Sequence, residues 1–353
     1  MKKLLHTENL SIGFDKKRRS EIILHERINL SLNKGEFICL IGPNGAGKST
    51  LIKTFVGFAS ALSGKIFLNN REIKSYSETE LAKQISVVLT EKTDTANITV
   101  KELVSMGRYP YTGFFGKLTS DDLLIVNESL EQVGIIKMQD KLCGELSDGE
   151  AQKAIIAKAL AQKTPIIILD EPTAFLDLPS RIEIMQLLKN LAHKAGKTIF
   201  LSTHELDLAL QYSDRLILLA QGKEIKCGTP EDLVLNRDFN DFFEKDGIEF
   251  DNDSGSFISC ERNEKKINIL GEGREFNWVS KALKRNGFIN DKNAEICIKI
   301  NNSDKNKYLI VSKNKNEIKV DSVEALLFEL KKPHMQHPEI LSGVKESLAS
   351  QPE

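Results

Sequence analysis

The run Gly42-Pro43-Asn44-Gly45-Ala46-Gly47-Lys48-Ser49-Thr50 has the spacing G-x-x-x-x-G-K-[ST], and that spacing carries a defined chemistry. Glycines at Gly42, Gly45 and Gly47 let the backbone wrap closely around an anion. Successive backbone N–H groups, ending in a helix N-terminus, then point at it. Lys48 adds a point charge suited to the β- and γ-phosphates of a nucleotide, and the Ser49 hydroxyl is a ligand for Mg²⁺. The plainer alternative is a glycine-rich turn with a chance lysine. A second pair of groups argues against it. The apolar run 166–169 ends in Asp170 and Glu171. Asp170 is suited to hold Mg²⁺ through water, and Glu171 to polarise an attacking water as a general base. Alone, these would be two solvated carboxylates at a strand end. Together with the loop they make a site for phosphoryl transfer.

These groups need elements to position them. Phe37-Ile38-Cys39-Leu40-Ile41 is continuously apolar, as a strand buried on both faces requires, and Leu51-Ile52-Lys53-Thr54-Phe55 continues as a helix beyond the loop. Runs 166–169, 198–201 and 215–219 read as further buried strands with helical segments between them. That alternation predicts a parallel α/β sheet, whose ligands bind at the carboxyl ends of the strands. Before it lie strand-like runs at 10–14, 22–24 and 28–32, with basic Lys16-Lys17-Arg18-Arg19 as a solvated hairpin tip. Thr99 with Glu102 forms a capping box. A helix is predicted from Ser120 through Val133, with Leu123, Val126, Leu130 and Val133 on its apolar stripe.

Composition sets the limits. The chain has 353 residues, with 49 Lys+Arg against 50 Asp+Glu. That balance excludes a basic nucleic-acid binder and an acidic solvating tail as the main function. No apolar run approaches the roughly 18 residues of a membrane span. The start, Met1-Lys2-Lys3-Leu4-Leu5-His6, lacks the apolar core of a signal peptide, so a cytoplasmic protein is expected. Cys39, Cys143, Cys227, Cys260 and Cys297 form no C-x-x-C pair, and each reads as a small buried side chain in a reducing compartment.

Between the two phosphate motifs stands Leu146-Ser147-Asp148-Gly149-Glu150, heading a helix rich in small residues. With the motifs above, it resembles the ATP-binding subunits of ABC transporters, whose signature is usually LSGGQ. The resemblance covers roughly residues 4 to 245. It implies a P-loop NTPase cassette: a mostly parallel α/β sheet core, an N-terminal antiparallel β subdomain and a helical signature subdomain at about 90–160. It also implies that Ser147 and Gly149 meet the γ-phosphate of an ATP held by Lys48 of an opposite subunit, in a head-to-tail homodimer. A bland capping box, Ser147 with Glu150, is compatible with that role. Pro172-Thr173-Ala174-Phe175-Leu176-Asp177 is similar to the family's D-loop, with Asp177 as its acid. His204, after a buried strand, stands where the family's switch histidine contacts the γ-phosphate and orients Glu171. Phe14 is the candidate to stack on adenine. Lys48, Glu171 and His204 are thus the catalytic set. Phe14, Gly42, Asn44, Gly45, Ala46, Gly47, Ser49, Thr50, Ser147, Gly149 and Asp177 contribute to ATP binding, and Ser49 and Asp170 to Mg²⁺.

Two departures stand out. Thr90, followed by Glu91, falls where the family has the glutamine of its Q-loop, so Thr90 enters as a weaker candidate Mg²⁺ ligand. Asp148 and Glu150 replace a signature glycine and glutamine. Asp148, if it faced a phosphate, would repel it, and is expected to point outward. The runs Val104-Ser105-Met106-Gly107-Arg108-Tyr109-Pro110-Tyr111 and His204-Glu205-Leu206-Asp207-Leu208-Ala209-Leu210 are similar to those of importers of iron–siderophore, haem and cobalamin. The resemblance therefore implies an ATPase bound to a membrane permease at the cytoplasmic face, served by a substrate-binding protein, with an iron chelate as cargo. A cobalamin importer, a soluble ABC ATPase of translation or DNA repair, and a non-hydrolysing regulatory binder are the alternatives.

Beyond residue 245 the character changes. Asp251-Asn252-Asp253-Ser254-Gly255 reads as a linker. Residues 246–332 are expected to form an accessory C-terminal α/β domain, with strands at 267–270, 295–300, 308–311 and 317–320 and helices at 276–286 and after an Asp321–Glu324 cap. Gly271-Glu272-Gly273 reads as an ordinary turn and Trp278 as core. Residues 333–353, with His334 and His337, read as a solvated tail.

Overall fold

The computed structural model describes residues 2–16, 20–89, 95–113, 116–243, 248–251, 255–259, 265–300, 308–311 and 317–332. The chain divides into two compact units, Met1–Ile258 and Ser259–Glu353. Thr90, Glu91, Lys17–Arg19 of the basic tip, Cys260, His334 and His337 lie outside the described residues.

The first unit opens with β1 (Lys3–Lys16), β2 (Ser20–Ile28) and β3 (Ser31–Asn33). β4 (Phe37–Ile41) and α1 (Lys48–Phe55) flank the glycine loop, and β5 (Ser63–Leu68), β6 (Arg71–Glu72), α2 (Glu78–Ala82) and β7 (Ile85–Val88) follow. Strands β2-β1-β5-β6, with β3 on β1, make an antiparallel sheet.

Three helices come next: α3 (Val100–Ser105), α4 (Ser120–Gln132) and α5 (Asp148–Ala161). Each starts with the same device, a hydroxyl accepting from the third residue's N–H while that residue's carboxylate takes the cap N–H. α4 starts at Ser120, as the sequence predicts, with Thr119 as its cap and Asp122 closing the box. Val126, Leu130 and Val133 are buried as predicted, but Leu123 is 39% exposed. Its neighbour Asp122 is turned inward instead, because it accepts from Arg108 Nε at 2.9 Å. Arg108 also donates through Nη1 to Ala161 O at 2.7 Å, so one buried guanidinium joins the 106–111 turn, α4 and the end of α5.

The core sheet is completed by β8 (Ile166–Asp170), α6 (Leu178–His193), β9 (Thr198–Thr203), α7 (Leu206–Tyr212), β10 (Arg215–Leu218) and β11 (Lys226–Gly228). Its order is β11-β10-β4-β9-β8-β7, parallel except for the edge pair β10–β11. Every residue of β4, β8 and β9 is buried, which explains their continuous apolar runs. Helices α8 (Pro230–Leu235) and α9 (Asp238–Phe243) and the two-stranded sheet of β12 (Ile248–Asp251) and β13 (Ser256–Ser259) follow. Phe250 stacks on Phe239 at 4.8 Å and meets Phe257 edge-on at 5.3 Å. This aromatic cluster keeps the segment with the first unit, so the division falls after Ile258 rather than at about 245.

The second unit contains β14 (Lys265–Leu270), α10 (Gly273–Arg285), β15 (Phe288–Asn290), β16 (Cys297–Ile300), β17 (Tyr308–Val311), β18 (Glu317–Val320) and α11 (Val323–Leu330). Its sheet runs β15-β14-β16-β17-β18, and Ile267, Ile298, Ile310, Val279, Leu283, Leu326 and Leu330 form its core. Three expectations are corrected here. Trp278 is 61% exposed, because Val279, Ala282 and Leu283 take the inner face of α10; the Lys281 ammonium lies over its ring at 5.3 Å. The α11 cap is Ser322, whose hydroxyl accepts from Ala325 N, not Asp321. Among the described cysteines only Cys39 is fully buried; Cys227 lies exposed on the edge strand β11.

Candidate active site

Strand order does most of the positioning. β4, β9 and β8 are direct neighbours, with Ile41 beside Thr203 and Ser202 beside Asp170. Parallel neighbours lie about 4.8 Å apart. Their carboxyl ends therefore deliver the glycine loop, His204 and the Asp170–Glu171 pair to one edge.

The loop needs its glycines for separate reasons. Gly45 and Gly47 hold φ of 79° and 95°, in the left-handed region. Gly42 is required by space, since a Cβ there would sit 2.0 Å from the carbonyl oxygen of Leu219. Ala46 is buried, while Asn44, Ser49 and Thr50 lie at the surface or half-buried at the start of α1. Lys48 is buried, and its Nζ donates to Gly42 O at 2.8 Å and Pro43 O at 3.2 Å. Burial pushes the Lys48 ammonium below the ordinary lysine range, while Glu171 and then Asp170 pull it back up.

Asp170 is buried and accepts from Ser202 Oγ at 2.5 Å. The same Ser202 oxygen accepts from Glu171 N at 3.0 Å. Glu171 itself has φ 52°, a conformation that a β-carbon disfavours and that persists only where its surroundings fix it. Its Oε1 lies 2.5 Å from His204 Nε2, within ion-pair distance. Both side chains remain partly open to solvent. A base held by a histidine, beside a lysine and at a strand end, is an arrangement able to activate water against a phosphate.

The remaining candidates lie around this edge or face away from it. Phe14, on β1, is 53% exposed, leaving its ring face available for stacking. Ser147 is exposed as the N-cap of α5, accepting from Glu150 N at 3.3 Å, while Glu150 takes Ser147 N at 2.9 Å. These bonds from Ser147, backbone first, hold the Glu150 carboxyl below the usual range. Gly149 is packed against α6: a Cβ there would be 2.9 Å from Ser180 Oγ. Asp148 is exposed and lines a cleft with Gln152, Glu171 and Phe175. Asp177 caps α6 by accepting from Ser180 N at 3.0 Å; the Ser180 side chain first, and then this backbone bond, hold its carboxyl below the usual carboxylate range.

Sequence reasoning missed four supporting residues. His25 Nε2 lies 2.7 Å from Ala46 O, and Gln221 Nε2 donates to Gly45 O at 3.1 Å, so two side chains brace the loop carbonyls from behind. Ser202 and Arg181 are the others. His25, Gln221 and Ser202 act on segments distant in sequence and so carry no local signal, and Arg181 reaches Glu205 24 residues on.

Two family models match the chain: "ABC transporter" over residues 25–174 and "Iron ABC transporter C-terminal domain" over residues 264–331. An uncharacterized ABC transporter ATP-binding protein of Methanocaldococcus jannaschii is 38% identical over 284 residues, covering 80% of this chain and 96% of the relative. The iron(3+)-hydroxamate import ATP-binding protein FhuC of Bacillus subtilis is 38% identical over 225 residues, covering 64% of this chain and 82% of the relative. Among solved structures, a dimeric bacterial ABC transporter cassette superposes with a TM-score of 0.56 at 27% identity, covering 64% of this chain and 98% of that one. The chain thus belongs to the ABC transporter ATP-binding protein family, as an ATPase subunit.

Proposed function

We propose that two copies of this chain power the import of an iron–siderophore chelate through a membrane permease, from its cytoplasmic face. Support for the cargo comes from the match of residues 264–331 to the iron-transporter C-terminal domain, together with a hydroxamate-import relative. Residues 1–258 would be the cassette, with 90–160 as its signature subdomain, and the second unit an accessory domain. A substrate-binding protein would hand the chelate to the permease, so this chain never needs to touch it. The described residues hold no helix long and apolar enough to cross a membrane.

The donor set suits Mg²⁺. Among the described residues no group of three His, Cys, Asp or Glu gathers as an all-protein metal cage. One hydroxyl, Ser49, and one carboxylate, Asp170, stand instead at a phosphate loop, and Mg²⁺ favours few protein oxygens with phosphates and water completing its shell. Bound there, it would neutralise charge on the β- and γ-phosphates.

In this reading Phe14 stacks on adenine, and the N–H groups of 44–50 surround the phosphates. Lys48 turns its ammonium from the loop carbonyls to the triphosphate. Ser147 and Gly149 of one copy close over the nucleotide of the other, and Asp177 of the D-loop lies at the same junction. Glu171 takes a proton from the attacking water, and His204 holds that carboxylate in position. The observation that carries the reading is the 2.5 Å Glu171–His204 contact beside Lys48. The test is E171Q. It should bind ATP and dimerise with MgATP while turnover falls at least ~100-fold, the lower end for a lost general base. Undiminished turnover would remove Glu171 from the mechanism. Co-purification of the permease and iron-chelate uptake by cells carrying wild type, but not E171Q, test the transport role.

A further inference from the structure

We propose that Arg181 is a positioning residue, coupling the His204 switch to the D-loop through Glu205. The inference rests on the reading of Glu171 and His204 given above. Arg181 sits one turn into α6, where its backbone N–H bonds Asp177 O at 3.0 Å. Its side chain runs back toward the helix start, as long helical side chains do. There Nε donates to Leu176 O at 2.7 Å and Nη1 to Glu205 Oε1 at 2.6 Å. The guanidinium therefore grips two segments at once: the D-loop just before Asp177, and the residue directly after His204.

The D-loop stretch is held in a demanding conformation near both of its ends. Phe175, next to Leu176, has φ 66°, and Glu171 at the other end of the same stretch has φ 52°. Such residues keep that geometry only when neighbours over-determine it. Leu176 itself is buried, while Phe175 is 78% exposed. Arg181 is thus one of the restraints that set where the exposed part of this loop stands. Glu205 begins α7 without using its side chain as a cap, which leaves the carboxylate for Arg181. A continuous chain of contacts follows: Glu171 to His204 at 2.5 Å, His204 to Glu205 through the backbone, Glu205 to Arg181 and Arg181 to Leu176. A shift of the backbone at His204 that carries Glu205 with it pulls on Leu176 through the Arg181 contacts.

The planar fork makes the residue type matter. Two N–H donors at a fixed mutual angle reach a carboxylate and a carbonyl together; a lysine ammonium at that place serves only one of them well. ATP turnover by the full-length chain decides the point, using R181A, R181K, E205Q and R181A/E205Q, with E171Q as control. R181A and E205Q should each lower kcat about tenfold, within the range typical of coupling energies, with the KM for ATP within about twofold. The double variant should be no slower than R181A, and R181K should recover part of the loss. An unchanged kcat, a loss confined to KM, or fully multiplicative effects in the double variant would overturn the proposal. If R181A does not fold, E205Q and R181K carry the same comparison. If E171Q is silent while R181A and E205Q run at the wild-type rate, only the Arg181 inference falls; if E171Q turns over normally, the reading of the site falls with it.

Discussion

The buried Arg108–Asp122 pair allows a stability prediction with a worked magnitude. Asp122 accepts from Thr119 Oγ1 at 2.7 Å, from Thr119 N at 2.9 Å and from Arg108 Nε at 2.9 Å. The Thr119 hydroxyl first, then its N–H, then Arg108 hold the carboxyl down from 3.8 to about 2. Each pKa unit corresponds to about 1.4 kcal/mol, so the depression is worth about 2 kcal/mol. Because the folded value is the lower one, this stability is complete above the unfolded pKa and is lost as pH falls toward about 2. Roughly 1 kcal/mol of it is gone by pH 3. D122N removes the charge and leaves the Arg108 guanidinium buried against Ala161 O and the Tyr111 ring at 4.0 Å. Breaking one side of a buried pair costs about 3 kcal/mol. Urea unfolding of wild type and D122N at pH 7 should show that difference, and the gap should narrow by about 1 kcal/mol at pH 3, where wild type alone loses the term. Because Arg108 ties together α4 and the end of α5, the helix that presents Ser147, D122N should also lower ATP turnover. A D122N protein within about 0.5 kcal/mol of wild type, with the same pH slope, would refute the account of this pair as a buried, charge-assisted tie.

Three further outcomes can be checked directly. F14A should raise the KM for ATP about fivefold and leave kcat nearly unchanged, as loss of one stacking contact of about 1 kcal/mol predicts; a titration of turnover against ATP measures it. G47A must force a β-carbon to φ 95° and within 3.3 Å of Leu24, so nucleotide binding, read by equilibrium dialysis, should weaken about 5- to 30-fold, the equivalent of a conformational cost of about 1–2 kcal/mol. S202A removes the donor to Asp170 and the acceptor for Glu171 N. It should raise the Mg²⁺ concentration for half-maximal turnover about tenfold, and an unchanged Mg²⁺ requirement would separate Ser202 from the metal site.

Much of the candidate site was legible because the chemistry proposed for it depends on local spacing. A loop that wraps a phosphate must have glycines where φ is positive, and a base at a strand end must follow an apolar run. The same holds for the capping boxes at Thr99, Ser147 and their partners, which are short-range hydrogen-bond patterns. Periodicity misled where a polar group found a distant partner. Leu123 yielded its inward place to Asp122 because Arg108 approaches from the 106–111 turn, and Trp278 stays outside because aliphatic neighbours already fill the inner face of α10. Residues 251–255 read as a linker by composition, yet Phe250 and Phe257 on either side anchor their strands to Phe239 and Phe243.

From the residues alone came the sheet type, the phosphate loop, the acid pair and the signature helix, since each is written in contiguous sequence. Tertiary structure decided which of these meet. Only the order β4-β9-β8 sets His204 against Glu171, and only the packing of α6 brings Arg181 to Glu205. Contacts between positions 24 to 33 residues apart have no local pattern, because a hydrogen bond across neighbouring strands depends on where the chain returns, and that is set by burial of whole faces rather than by any short motif.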